Sequence, residues 1–217
     1  MENPLDLSAK IYELLVGAGA LLPVTALVAV FLFAAREILE AKRRNKASSR
    51  KKRAINRLMA YDIERNYWAL KSTRHCLEKI TDQIAKPNGL DNLSIRVGSN
   101  GEKYFQCEER GVGTSSSPIR KVFTGSLTSN LLALADLDER QFEATLDAID
   151  AINELNHVID SMVAYVSNDL PNGYSRSSDL MEGFVEYAEA ELNDCEEAFK
   201  KFYKTITGND LNNHRVR

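Results

Sequence analysis

The sequence predicts a mainly α-helical protein: one N-terminal transmembrane helix followed by a cytoplasmic antiparallel helical bundle with a small β-hairpin insertion. Three observations carry this. First, the 22 residues from Leu14 to Ala35 hold no charge, and about 20 apolar residues cross a hydrocarbon core of roughly 30 Å. Second, the densest positive cluster of the chain follows at once, and positive charge stays on the cytoplasmic side of a span. Third, the remaining sequence holds three long stretches with apolar residues at helical spacing.

The span comes first. Glu2, Asp6, Lys10 and Glu13 precede it, whereas ten basic residues and only Glu37 and Glu40 lie between Arg36 and Arg57, a sum of +8. The expected order is a short extracytoplasmic N-terminus (1–10), a transmembrane helix (11–35), a basic juxtamembrane segment (36–57), a cytoplasmic bundle (58–207) and a flexible tail (208–217). The compact size points to a bacterial inner (plasma) membrane, with the N-terminus out. A cleavable leader fits less well. The leading segment is mildly acidic, the apolar run exceeds the 7–15 residues of a leader, and Arg36 directly follows Ala34 and Ala35. Within the span, Gly17, Gly19, Pro23 and Ala26 form a candidate packing face, because small residues let helices approach closely in lipid. Pro23 removes a hydrogen bond and can kink the helix. Arg43, Arg44, Lys51, Lys52 and Arg53 are the candidate contacts to anionic lipid headgroups. No aromatic residue interleaves between Arg36 and Arg57 to stack on bases, so nucleic acid is not expected as a partner.

From Val24 to Lys86 there is neither Gly nor Pro. One helix of that length would run about 95 Å; a loosened joint near Ser48 and Ser49 would divide it. Its cytoplasmic part carries a stripe at spacing seven, Ile63, Leu70, Leu77 and Ile84, with Asn66, Thr73 and Ile80 between them. The polar members favour a bundle face over a strict coiled coil. Pro87, Asn88 and Gly89 end the helix.

The next elements are short. Leu93 to Val97 alternates in polarity, Ser99-Asn100-Gly101 signals a turn, and Lys103 to Cys107 holds Tyr104 and Phe105. These predict a hairpin over about 93–107. Residues 108–117 read as a flexible loop. Ser117-Pro118 reads as an N-cap followed by Pro at the first helical position, giving a short helix from Pro118 to about Phe123. Another is expected from Ser126 to about Ala135.

Two long helices follow. Asp138-x-x-Gln141 is a capping-box pattern. The expected apolar face of its helix is Phe142, Leu146, Ile149, Ile152, Ile159, Val163 and Val166, and Asn168 to Gly173 closes it. Asp179-x-x-Glu182 opens the last helix, with Leu180, Phe184, Tyr187, Ala188, Leu192, Cys195, Phe199, Phe202 and Ile206 inward. Gly208-Asn209 is a C-cap signal.

The 217 residues are 44% hydrophobic and 27% charged, an ordinary composition for a folded domain, and the net charge of −3 hides an asymmetry. From Asp138 to Lys200 sixteen acids meet three basic residues, a sum of −13. No nucleophile elbow, phosphate-binding lysine loop or dinucleotide fingerprint is present, so no enzyme activity and no cofactor are expected. Cys76, Cys107 and Cys195 lack paired spacing and fit a reducing compartment. Glu154 and His157 match an Glu-x-x-His pattern once without a second copy, which a solvated acidic face explains; no metal site is expected.

The best candidate for ligand binding is an anion site at Gly111, Gly113, Thr114, Ser115, Ser117, Arg120 and Lys121. Glycines and hydroxyls there lead into an expected helix start, where backbone N–H groups favour phosphate or a nucleotide. These features lead us to expect a non-enzymatic, single-pass anchored scaffold that binds cytoplasmic protein partners or copies of itself. The competing expectation is an oligomeric effector whose cytoplasmic domain senses a ligand or partner and permeabilises the bilayer.

Overall fold

The computed structural model describes residues 24–109, 111, 113–170 and 174–211. The chain divides into two compact units, Met1–Lys51 and Lys52–Arg217. Four helices and one small antiparallel sheet make up the described residues. Helix α1 (Val24–Ile84) contributes to both units, so the joint expected at Ser48 and Ser49 does not interrupt it.

In the first unit the described part of the expected span is 24–35, and it is helical. Residues 14–23, with Gly17, Gly19 and Pro23, lie outside the described residues, as do the N-terminal segment 1–10 and residues 212–217. Ala26 lies in α1 and is half-buried. Among the described residues no helix is long and apolar enough to cross a membrane. The reason is length: only twelve residues of α1 precede Arg36, and a crossing needs about 20.

The second unit begins at Lys52, six positions before the expected bundle start. Ile55 and Met59 already belong to the core. The stripe Ile63, Asn66, Leu70, Thr73, Leu77 and Ile80 is buried as predicted, and Ile84 packs against it. After α1 a single 3₁₀ turn (Gly89–Asn92) follows. Gly89 is buried there, and a Cβ would lie 1.9 Å from the Gln83 carbonyl oxygen, so only glycine fits.

Strands β1 (Leu93–Val97) and β2 (Lys103–Glu109) form the predicted hairpin, with Leu93 opposite Cys107 and Ile95 opposite Phe105. Gly101 supplies the turn at φ +76°. The expected flexible loop over 108–117 is corrected: Gly113–Pro118 is a third strand, β3, paired antiparallel to β2. Ladder bonds belong to the backbone, so Thr114 to Ser117 need no apolar side chains to form it. Pro118 lies at the end of an edge strand, where its missing N–H costs no ladder bond. The expected short helix from Pro118 to Phe123 is likewise absent, because Ser117 and Pro118 belong to β3 and 119–124 is irregular. Leu93, Phe105 and Cys107 turn one sheet face into the core.

Helix α2 (Gly125–Leu137) packs against α3 (Glu139–Ser167), which packs against α4 (Ser178–Thr207). Asp138 is the N-cap of α3 and accepts from the Gln141 N–H at 3.0 Å, as the capping pattern predicts. Ser177 rather than Asp179 caps α4, accepting from the Leu180 N–H. Gly208 ends α4 at φ +76°. The expected tail starts too early, since Leu211 still reaches the core.

Side-chain links set the helix directions. Asn56 bonds the Ile206 carbonyl, Tyr203 bonds Glu64, and Arg74 bonds Glu196 and Asn193. Rising numbers on α1 meet falling numbers on α4, so the pair is antiparallel. Cys195 on Ala151, His157 beside Tyr187 and Tyr165 stacked on Phe184 make α3 and α4 antiparallel too. The buried face of α3 is the expected one only in part. Ile152, Ile159 and Val166 are buried as predicted, together with Thr145, Ala148, Leu155, Val158 and Met162, while Phe142, Ile149 and Val163 are only half-buried and Leu146 is exposed. Contacts with α2 on one side and α4 on the other draw small and polar residues inward. On α4, Phe184, Ala188, Leu192, Cys195, Phe199, Phe202 and Ile206 are buried as predicted, with Met181 and Val185 in place of Leu180 and Tyr187. The three cysteines are buried and form no disulfide with one another; burial pushes the Cys76 thiol up to about 12 and the Cys195 thiol up to about 11.

Glu196 joins α1 to α4. Its carboxylate accepts from Arg74 at 2.6 Å, from Lys200 at 2.7 Å and from the Tyr67 hydroxyl at 3.3 Å. Burial alone would raise its pKa, but the bonds from Lys200 and Arg74 outweigh burial and bring it from 4.5 down to about 2. A depressed folded-state pKa contributes stability above the unfolded value and loses it as pH falls. Glu196→Gln should therefore lower the melting temperature at neutral pH. The gap to wild type should narrow as pH falls from about 4.5 toward about 2. A gap that stays constant over that range, measured by thermal melts of the full chain in detergent, would contradict this account.

Candidate functional site

The second unit contains a cleft of about 700 Å³. One wall is α1, with Tyr61, Arg65 and Trp68; the opposite wall is α3, with Asn156, Ile159, Asp160 and Val163. The β1–β2 turn and the irregular segment after β3 complete it with Gly101, Glu102, Lys103 and 118–123. Volume and mixed lining match a small-molecule site.

Tyr61, Arg65 and Trp68 follow from helical spacing. Positions i, i+4 and i+7 share a face, and this face lies beside the buried stripe of Ile63, Asn66 and Leu70. Residues 119–124 form neither strand nor helix, so α1 supplies much of the polar pairing of this segment. Ser72 donates to the Pro118 carbonyl at 3.0 Å. The fully buried Asn66 donates to the Phe123 carbonyl and accepts from the Phe123 N–H, both at 2.7 Å. Asp62 accepts from the Ser126 N–H at 3.0 Å and from its hydroxyl at 2.5 Å. Thr124 makes no side-chain cap to α2, so Asp62 performs the capping from another helix. The Ile119 N–H reaches the Lys103 carbonyl at 2.9 Å and carries the β2 pairing one residue beyond β3.

The Arg65 guanidinium lies 3.3 Å from the centroid of the Phe123 ring and 5.5 Å from that of Tyr61. Lys103, Arg120 and Lys121 are exposed, and among the described residues none of the three forms an ion pair. Glu102 is bonded by Asn100 and by the Tyr104 hydroxyl, each at 2.9 Å. These bonds, with Lys121 nearby, hold its carboxyl below the ordinary range. Asn156 donates to Asp160 at 3.2 Å across one turn of α3.

The structure divides the predicted anion site. Arg120 and Lys121 line the cleft. Gly111, Gly113, Thr114 and Ser115 are exposed along the sheet edge, Ser117 is half-buried in β3, and the helix start that was to orient them does not exist. The sequence reading missed Tyr61, Arg65, Trp68, Lys103, Asn156 and Asp160. One signal was present: two aromatic residues one helical heptad apart, off the buried stripe.

The headgroup candidates also divide. Arg43, Arg44 and Lys51 are exposed in the first unit, with Arg44 3.3 Å from Glu40. Lys52 belongs to the second unit and meets Asp138 at 2.6 Å, which lowers the pKa of that carboxyl. Arg53 lines a second cleft of about 600 Å³ with Asn56, Arg57 and Tyr203. Glu154 and His157 are exposed, and among the described residues no three His, Cys, Asp or Glu side chains gather as metal ligands.

Compared with protein-family models, curated proteins and solved structures, the chain matches none.

If Asn66 holds one wall of the cleft, its amide is needed as donor and acceptor together. Asn66→Leu keeps about the same size but loses both the donor and the acceptor. It should lower stability by about 2 kcal/mol or more and speed exchange of the Phe123 amide. Unchanged exchange at Phe123 would remove Asn66 from this role.

Proposed function

We propose that the protein is a single-pass, membrane-anchored helical scaffold whose second unit binds partner proteins, or copies of itself, at the cytoplasmic face. The observation that carries the anchor is the surface of α1 in the first unit. Val30, Phe31, Leu32 and Phe33 are 66%, 74%, 63% and 66% exposed. Four consecutive helical residues point in four directions about 100° apart, so an apolar surface surrounds the helix. A docking protein would cover one side; a bilayer covers all of them. Upstream lie the uncharged residues 14–23, which bring the run to the length a span needs. Downstream, the exposed cations Arg43, Arg44 and Lys51 suit anionic headgroups and support a cytoplasmic reading of the following unit.

The scaffold role is supported by charge. Glu143, Asp147, Asp150 and Glu154 are exposed and recur along one face of α3. Glu182, Glu186 and Glu189 are exposed on α4. Such a surface suits a basic protein partner, through steering and complementarity more than through individual ion pairs.

A second reading rests on the cleft: an oligomeric effector in which occupancy of the second unit alters association of the spans and permeabilises the bilayer. Gly19→Leu and Pro23→Leu separate the two readings. A scaffold keeps its localisation and partners with either change, whereas an effector changes oligomer size or leakage.

The anchor is tested in cells. The wild-type chain should remain with membranes after alkaline carbonate extraction. A Cys placed at Ser8 should react with an impermeant thiol reagent in intact cells, and one at Ser49 should not. Val24→Glu with Leu27→Glu should release much of the protein, because a carboxylate near mid-span costs about 2.5–3.5 kcal/mol. Recovery of wild type in the soluble fraction would overturn the anchor, and labelling at Ser49 would reverse the orientation.

A further inference from the structure

We infer that the cleft of the second unit is a binding site for a nucleoside phosphate, with the base against Trp68 and Tyr61 and the phosphate at Lys103, Arg120 and Lys121. The inference concerns the second unit alone and does not depend on the anchor.

Charge is the first argument. The second unit holds twenty Lys and Arg against twenty-six Asp and Glu. Its cleft reverses that balance, with Arg65, Lys103, Arg120 and Lys121 facing only Glu102 and Asp160. Glu102 is already engaged by Asn100 and Tyr104. Lys103, Arg120 and Lys121 have no carboxylate partner among the described residues, so an incoming anion displaces no ion pair. Three cations on adjoining segments can share the oxygens of one phosphate.

The second argument is the chemistry of the remaining wall. A bare inorganic anion needs no aromatic surface, yet Tyr61 and Trp68 line the same space as the cations. Base–aromatic stacking is sequence-tolerant and contributes about 1–3 kcal/mol. On the facing helix, Asn156 and Asp160 supply an amide and a carboxylate, the groups that bond ribose hydroxyls and the exocyclic amines of a base. Aromatic, hydroxyl-reading and cationic surfaces thus occur together in about 700 Å³, within the range of nucleotide-sized ligands.

The third argument is preorganisation. Arg120 and Lys121 lie on an irregular segment that Ser72, Asn66 and Asp62 pin to α1 at Pro118, Phe123 and Ser126. The backbone that carries the cations is therefore held before a ligand arrives, which lowers the entropic cost of binding.

Trp68 is the single tryptophan of the chain, so its fluorescence reports occupancy without a label. The full chain in detergent should be titrated with the four ribonucleoside mono- and triphosphates, adenosine and inorganic phosphate, with calorimetry alongside. At least one nucleotide should change Trp68 emission saturably. Inorganic phosphate and adenosine should each bind about tenfold weaker or more, since each keeps only one part of the contact. Arg120→Glu with Lys121→Glu should weaken nucleotide binding about tenfold or more while leaving the unliganded melt near wild type. Lys103→Glu on β2 gives an independent check should that double variant unfold. Absence of saturable binding by every nucleotide would overturn the proposal. So would phosphate binding as tightly as the nucleotides, or affinity unaffected by the charge reversals. Because the titration is done in detergent, loss of membrane attachment does not imitate any of these outcomes.

Discussion

For Phe123, the amide of Asn66 stands in for the two hydrogen bonds that a neighbouring strand would otherwise provide. A buried main-chain N–H and C=O left unpaired are costly, and the residues around Phe123 have no secondary structure of their own to pair them. Asn66 fits because a carboxamide presents a donor and an acceptor side by side. Ser72 and Asp62 extend the same contact to Pro118 and Ser126. The cleft, the entry into α2 and the position of Arg120 and Lys121 all depend on α1 holding this one segment.

The bundle uses polar groups sparingly elsewhere. Thr73 and Thr145 return their hydroxyls to the carbonyls one turn back, at Ala69 and Gln141, which satisfies them without an inter-helix partner. Glu196 does bridge two helices, with Arg74 reaching it from α1 and Lys200 from its own helix. Arg176 ties the sheet to the end of α3 by donating to the carbonyls of Leu93 and Val166. The Arg74–Glu196 and Arg176–Leu93 links join segments far apart in sequence.

Much of the second unit was legible in the sequence. The stripe from Ile63 to Ile80 obeys helical periodicity and is buried. The hairpin forms over the residues that its alternation and turn imply. Asp138 and Gly208 begin and end helices because their side chain and backbone freedom do that locally. The failures share a cause. Gly113 to Pro118 has the composition of a loop, and only the free edge of β2 makes it a strand. Leu146 and Val163 keep the right period, but α2 and α4 select a neighbouring face of α3.

The candidate site follows the same division. Sequence alone determined the chemistry of Arg120 and Lys121, the uncharged run ending at Ala35, the basic residues beyond it and the helical character of the chain, because charge, hydropathy and periodicity are local properties. Tertiary structure alone decided that Arg120 and Lys121 leave the glycine-rich residues behind and meet Tyr61, Trp68, Asn156 and Asp160. It also decided that Lys52 meets Asp138. The residues that meet lie from 35 to 86 positions apart in sequence. Their meeting depends on how helices pack and on where buried backbone groups find partners, and neither is written in any local pattern.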